Sequence, residues 1–338
     1  MLVRLFIQRW FLISLFGAAI LGFVAAEPFA PLPDNAFLRN GVVVAVLFLM
    51  SFPMKFGDLR DTAHRPAASM LASGLNYGML PLVAWGASLL STGDFALGMN
   101  IAAAAPCTMA SAAVLTRRAG GNDATALMVT IVTNLVCFLM MPFWLYLTTG
   151  GVIPFSILPV PGQGGIVLGE MVWKLLLLVL LPMAAGQLAR LLPGWGTWAG
   201  KMKTPIGVVA QCGILTMVFL GCVRSGLKLR ELEASLMPST LDFGAMIFLM
   251  LVIHLVALGL SLWVARGLAF PRREEIPIAF AGSQKTLMIG LAVAAEFYPD
   301  QPLALLPMVA YHLGQLFIDT MVADRYRAAE LRESAVLG

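Results

Sequence analysis

Three features of the chain predict an all-α integral membrane protein of about ten transmembrane helices: its composition, the length of its apolar runs and the placement of its basic residues. Of 338 residues, 59% are hydrophobic and 12% charged, with a mean hydropathy of +0.87. A soluble domain carries roughly 25% charged residues because its surface must be wetted. Half that share leaves most of the surface facing an apolar medium, and lipid is that medium.

A helix needs about 20 apolar residues to cross the hydrocarbon core. Runs of that kind fall at 10–27, 37–54, 66–91, 95–116, 123–148, 166–192, 205–223, 241–265, 275–297 and 302–323. The first begins with Arg4 and Arg9 and ends in Phe-Val-Ala-Ala-Glu, a pattern shared with cleavable signal peptides. It is read as a retained helix, because the charge count depends on it. With the N-terminus inside, sixteen basic residues fall on the cytoplasmic side, from Arg4 and Arg9 through Lys55, Arg60, Arg65, Arg117, Arg118, Arg190, Lys201, Lys203, Arg266, Arg272 and Arg273 to Arg325, Arg327 and Arg332. Only Arg39, Lys174, Arg224, Lys228 and Arg230 fall outside. This excess predicts a multi-pass protein of the plasma (inner) membrane with both termini cytoplasmic.

The net charge of +4 does not point to nucleic acid, since the basic residues sit in short breaks between apolar runs rather than in a patch. Four cysteines lie scattered in apolar segments without metal-ligand spacing, and there are three histidines, a combination that argues against a metal enzyme. No cofactor is expected. The partners implied are the bilayer and a small-molecule solute.

Ten helices with both ends inside divide into two sets of five, and a copied five-helix unit inserts upside down. The predicted organisation is a first five-helix repeat at 1–148, a Gly- and Pro-rich linker at 149–165, a second inverted repeat at 166–323 and a cytoplasmic tail at 324–338. The fourth and ninth helices carry unusual polar residues. The fourth reads Ala-Pro-Cys-Thr-Met-Ala-Ser from Ala105 to Ser111, and Pro106 removes a backbone hydrogen bond mid-membrane. The ninth reads Ala-Gly-Ser-Gln-Lys-Thr from Ala281 to Thr286. Lys285 lies ten residues beyond Glu275, roughly 15 Å deep at 1.5 Å per residue. Interrupted polar segments at corresponding places in two halves point to a transport site. Ser111, Gln284 and Thr286 alone read equally well as groups bonding across helices; a charge at that depth is rarely kept without a function.

Five stretches carry a family resemblance: SAAVLTRRAGGNDATAL (111–127), FAGSQKTLMIG (280–290), LLPMVAYHLGQ (305–315), LNYGMLPLVAW (75–85) and VIHLVALG (252–259). The chain resembles the bile acid:sodium symporter family of the cation/proton-antiporter-like superfamily, particularly the branch containing the seventh member of human solute carrier family ten. The resemblance implies a panel and a core domain, with helices four and nine broken and crossing in the core. It also implies two sodium ions near that crossover. By position, Ser111 and Thr130 keep hydroxyl ligands of the first site, Asn76 stands where the second has a Gln, and Gln284 keeps that site's other Gln.

Four positions depart from the family pattern. Ala112 replaces an Asn ligand, Ala126 a Ser, Phe280 the acidic residue serving both sites, and Lys285 an Asn. The departures remove the negative charge a sodium ion needs. They suggest that Lys285 takes sodium's place, leaving coupling to protons or to nothing; the plainer reading is that Lys285 pairs with helix-four carbonyls or the Ser111 hydroxyl. Asn134, Gln211 and Gln315 either line a cavity or bridge helices, and His254 and His312 read as neutral cross-helix bonders. Asp319 is expected near solvent, Glu170 and Lys174 as an i,i+4 pair, and Gly74 and Gly78 as a GxxxG packing contact. The expected activity is alternating-access movement of a small organic, anionic solute. The alternatives are a non-transporting regulatory membrane protein and, from a Ser111–Lys285 dyad, an intramembrane enzyme.

Overall fold

Lipid offers no hydrogen bonds to a bare backbone, so a spanning segment must satisfy its own peptide groups. The computed structural model describes residues 2–54, 66–109, 111–149, 168–231 and 237–337, and among them it contains helices and no strand. In chain order these are α1 (Leu2–Val24), α2 (Ala36–Ser51), α3 (Ala67–Ser88), α4 (Gly93–Ala104), α5 (Ser111–Arg118), α6 (Asp123–Thr148) and α7 (Leu168–Arg190). They continue with α8 (Trp195–Lys201), α9 (Lys203–Glu231), α10 (Thr240–Gly267), α11 (Arg272–Ser283), α12 (Leu287–Phe297) and α13 (Leu305–Leu337). Among the described residues each apolar run lies mainly on helix, the runs at 95–116 and 275–297 being interrupted by a break. Seven helical stretches among the described residues are long and apolar enough to cross a membrane: Ala67–Ser88, Asp123–Thr148, Leu168–Arg190, Lys203–Glu231, Thr240–Gly267, Arg272–Phe297 and Pro302–Arg332. The chain is therefore an all-α, multi-pass membrane protein. The expected linker falls outside the described residues except for Thr149, as do Lys55, Arg60 and Arg65.

Helix starts follow local sequence. Asn35 and Asn122 cap α2 and α6 through their side-chain oxygens, and Ser239 with Asp242 forms a capping box on α10. Residues 324–337 of the expected tail continue α13 as helix to Leu337, supported by an Arg327–Glu330 ion pair one turn apart. Ala328, Ala329, Glu330 and Leu331 are good helix formers, so the helix outruns its apolar part.

The helices pack in two groups. α1 lies along α9, α9 against α2, and α2 against α7. A Cβ on Gly22 of α1 would come within 2.8 Å of the Phe219 carbonyl oxygen, so only glycine allows that approach. In the second group α11 packs against α3, α5, α6 and α10, while α13 packs against α4, α5, α10 and α12. Of the most apolar window in Arg272–Phe297, 94% is buried, so this segment faces protein and not lipid. Gly74 and Gly78 correct the expected packing motif: a Cβ on either would meet nothing within 4 Å.

Candidate functional site

Two helix breaks meet inside the second group. The first separates α4 from α5 and its described residues are Ala105–Met109, and the second separates α11 from α12 at Gln284–Thr286. Each break strands backbone groups where water cannot reach them, and each is served by the long helix that follows it. On α6, the Thr133 hydroxyl accepts from the Cys107 N–H (3.2 Å), Asn134 Nδ2 donates to the Cys107 carbonyl (3.1 Å) and the Thr130 hydroxyl donates to the Thr108 carbonyl (3.0 Å). On α13, Gln315 clamps Lys285 from both sides: its Oε1 accepts from the Lys285 N–H and its Nε2 donates to the Lys285 carbonyl, each at 2.8 Å.

The breaks also bind each other. The Thr286 N–H donates to the Pro106 carbonyl (2.8 Å), while the Thr108 and Ser111 hydroxyls donate to Gln284 Oε1 at 3.0 and 2.8 Å. Gln284 Nε2 donates to Asp319 Oδ2 (2.6 Å), and Asp319 Oδ1 lies 2.9 Å from His254 Nε2. Asp319 and His254 are both fully buried.

Lys285 is 2% exposed, and its ammonium donates to three oxygens: the Asn76 carbonyl (2.8 Å), Asn76 Oδ1 (2.9 Å) and the Ala105 carbonyl (2.8 Å). A local irregularity makes the first of these available. Residues Leu75–Met79 form one π-helical turn in α3, where the Leu80 N–H reaches back five residues to the Leu75 carbonyl. The next donor along the chain would be residue 81, which is a proline. The Asn76 carbonyl is thereby left for Lys285, and the Tyr77 carbonyl is taken by the Trp144 indole N–H at 2.5 Å. Asn76 Nδ2 donates to the Ala281 and Gln284 carbonyls (both 2.9 Å), which fixes its Oδ1 toward the lysine.

The sequence-selected residues are thus placed as follows. Asn76, Pro106, Ser111, Gln284, Lys285 and Thr286 meet at the crossover, while Thr130 and Asn134 support its first break. His312 is one residue removed from the second break: its Nδ1 bonds Gln315 (2.8 Å), the side chain that clamps Lys285, and its ring meets Phe11 edge-on. Ser111 bonds Gln284 rather than Lys285, so the two do not form a dyad. Asp319 corrects the expectation of a solvated carboxylate. It lies eighteen residues before the end of a helix whose apolar run stops at 323, so the end of the run is a poor guide to the interface. Tyr311, whose hydroxyl donates to the Ser283 carbonyl (2.6 Å), and Thr133 were not singled out; their position on the turns facing each break was their only signal.

A sodium ion needs several oxygens with free lone pairs and compensating negative charge. Ala112, Ala126 and Phe280 supply no side-chain oxygen. Asn76 Oδ1 and the Asn76 and Ala105 carbonyls accept from Lys285, and Gln284 Oε1 accepts from two hydroxyls. The Asp319 oxygens are engaged by Gln284 and His254. Asn134 Oδ1 is the one buried side-chain oxygen at the described breaks without a partner. These residues do not fit a resident sodium ion.

A cavity of about 940 Å³ opens beside the first break, between α2, α7, α8 and α9 on one side and α5 and α6 on the other. Its charged lining is Arg117, Arg190, Lys201 and Lys203 against the single carboxylate of Asp123, which Arg117 already pairs. Gln211 lines it too. A smaller apolar recess of about 190 Å³ shares Met54 and Met109 with it and ends at Thr130. At the opposite ends of α2 and α7 the two groups are tied together. Glu296 of α12 meets Lys174 of α7 at 2.9 Å and Arg39 of α2 at 4.0 Å, and Lys174 also pairs with Glu170 at 3.1 Å.

Comparison with known proteins agrees with this architecture. A model of the SBF-like CPA transporter family matches residues 9–328. YfeH of Escherichia coli (strain K12) is 28% identical over 227 residues, covering 66% of this chain and 62% of YfeH. The uncharacterized protein PA2026 of Pseudomonas aeruginosa is 29% identical over 245 residues, 71% of this chain and 68% of that protein. Sodium/bile acid cotransporter 7-B of Xenopus laevis is 20% identical over 337 residues, 95% of this chain and 92% of its own. The chain thus spans less than two thirds of YfeH and nearly all of the Xenopus protein.

Proposed function

Because the chain belongs to the SBF-like CPA transporter family, we propose that it is a secondary transporter that moves a small organic anion by alternating access. The observation that carries this reading is a basic cavity that reaches the first helix break at Met109, with the second break bonded to the first behind it, while charged side chains close the opposite face. Broken helices leave polar backbone where a solute passes. The arrangement is that of a carrier open to one side: the cavity admits the solute, and the Glu296–Lys174–Arg39 cluster holds the other side shut.

The anionic preference follows from charge. Lys201 and Lys203 carry no ion pair among the described residues, and Arg190 donates only to the Phe52 carbonyl (3.2 Å), so the cavity holds net positive charge that attracts anions. The apolar recess suits the body of an amphipathic solute. Ten spans in two inverted sets of five account for the matching construction of the two breaks, each clamped by the next long helix. The near full-length match to the Xenopus cotransporter supports the branch of the seventh member of human solute carrier family ten, and the basic side is taken as cytoplasmic.

Reconstituted full-length protein should be tested with a panel of anionic, neutral and cationic solutes by proteoliposome flux. Saturable movement of anions, weakened severalfold in apparent affinity by Lys201→Gln with Lys203→Gln, is the expected result. Preference for cationic or neutral solutes, or no flux across the panel, would overturn the reading.

A further inference from the structure

We propose that the Lys285 ammonium is a built-in cation that occupies the place of a coupling sodium ion, so that the crossover is held together without any dissolved metal cation. This deepens the transport reading and rests on it for its place in the cycle; the cage itself is a matter of geometry.

The geometry around Nζ matches the donor count of the charged form. Three oxygens surround Nζ at 2.8–2.9 Å, and all are acceptors, because the Asn76 amide nitrogen is spent on the Ala281 and Gln284 carbonyls. An ammonium has three hydrogens to give them, whereas a neutral amine would turn its lone pair on an oxygen. The oxygens come from two elements besides the lysine's own. One is the carbonyl that the π-helical turn of α3 releases. Another stands at the C-terminal end of α4, where the helix dipole favours positive charge. The face of the Tyr77 ring lies 5.0 Å from Nζ and adds a further attraction.

A cation in this position does what a sodium ion does between broken helices: it neutralises carbonyl ends that would otherwise repel. It differs in one respect, for it cannot leave. Its charge travels with α11 and α12, so a sodium gradient contributes nothing at this position. The replacement of the other oxygen-bearing ligands by Ala112, Ala126 and Phe280 is then coherent, because a tethered ammonium does not need them.

The test is a thermal melt of the full-length protein in detergent, in sodium chloride and in choline chloride at equal ionic strength. A ligand that binds only the native state raises the melting temperature, and no substrate need be known. Wild type should melt alike in the two salts. Lys285→Ala should melt lower, and sodium or methylammonium chloride should raise its melting temperature saturably over choline by refilling the vacated cage. A saturable, sodium-specific rise in wild type would overturn the proposal, as would a Lys285→Ala protein that melts like wild type or ignores both small cations. The wild-type comparison needs no variant, so a misfolded Lys285→Ala does not shelter the idea. A sodium-raised wild-type melt would leave the transport reading standing as sodium-driven, whereas an empty flux panel with an unmoved melt would strike the transport reading alone.

Discussion

At the first helix break three neutral side chains of α6, Thr130, Thr133 and Asn134, share out the stranded backbone groups one bond at a time. At the second, a single side chain, Gln315, takes both groups of Lys285, and the surrounding contacts are charged or titratable: Lys285 itself, Asp319, His254 and Tyr311. The same backbone problem thus has a distributed solution in one half of the molecule and a concentrated one in the other. A distributed clamp tolerates the loss of a member; a concentrated clamp holds one residue rigidly, which suits a break that must keep a charged side chain aimed at carbonyls 180 and 209 residues away in sequence.

Substitutions should separate the two clamps, with melting temperature in detergent as the readout. Gln315→Leu removes the partners of two buried backbone groups, each worth about 1–3 kcal/mol, and should cause the largest fall. Asn134→Leu leaves the Cys107 carbonyl without its donor, while the Thr130 carbonyl, which Asn134 also meets, keeps the Thr133 hydroxyl; the cost should be about half as large, still within about 1–3 kcal/mol. Equal falls would mean that the second break is no more concentrated than the first. Trp144→Phe unpairs the Tyr77 carbonyl beside the π-helical turn, and a loss of about 1 kcal/mol is expected. No change there would show that the turn holds without its indole partner.

The helices are legible in the amino-acid sequence and the clamps are not. Hydropathy reads burial in lipid, so among the described residues the apolar runs lie mainly on helix, and α6 matches its run at both ends. Pro106 and Lys285 advertised the breaks because each breaks a local rule of membrane helices. What clamps the breaks was not legible: Tyr311 and Thr133 are ordinary residues whose role depends on which turn faces the neighbour. Asp319 was hidden by α13 continuing past its apolar run, and the π-helical turn at Leu75–Met79 had no signal beyond Pro81, since an i+5 bond leaves no periodic trace over one turn. The GxxxG at Gly74 shows the converse, a motif present without the contact it usually marks.

The smallest stability effect expected is at the closed face. Glu296→Gln removes the charge that Lys174 and Arg39 share in partly exposed surroundings, so about 1 kcal/mol or less is at stake. Its effect on the population of the two access states should be easier to see than its effect on melting. That makes it the natural partner for the measurement that bears most directly on the central claim, side-specific accessibility. With Cys212 replaced by serine, cysteines at Leu127 in the basic cavity and at Ala295 beside Glu296 would be labelled with a membrane-impermeant maleimide from each face of the membrane in turn. Alternating access predicts that Leu127→Cys is labelled quickly from the basic face, that Ala295→Cys is labelled slowly from the opposite face, and that Glu296→Gln slows the first while speeding the second. Labelling of both positions from one face, or rates that ignore Glu296→Gln, would contradict it.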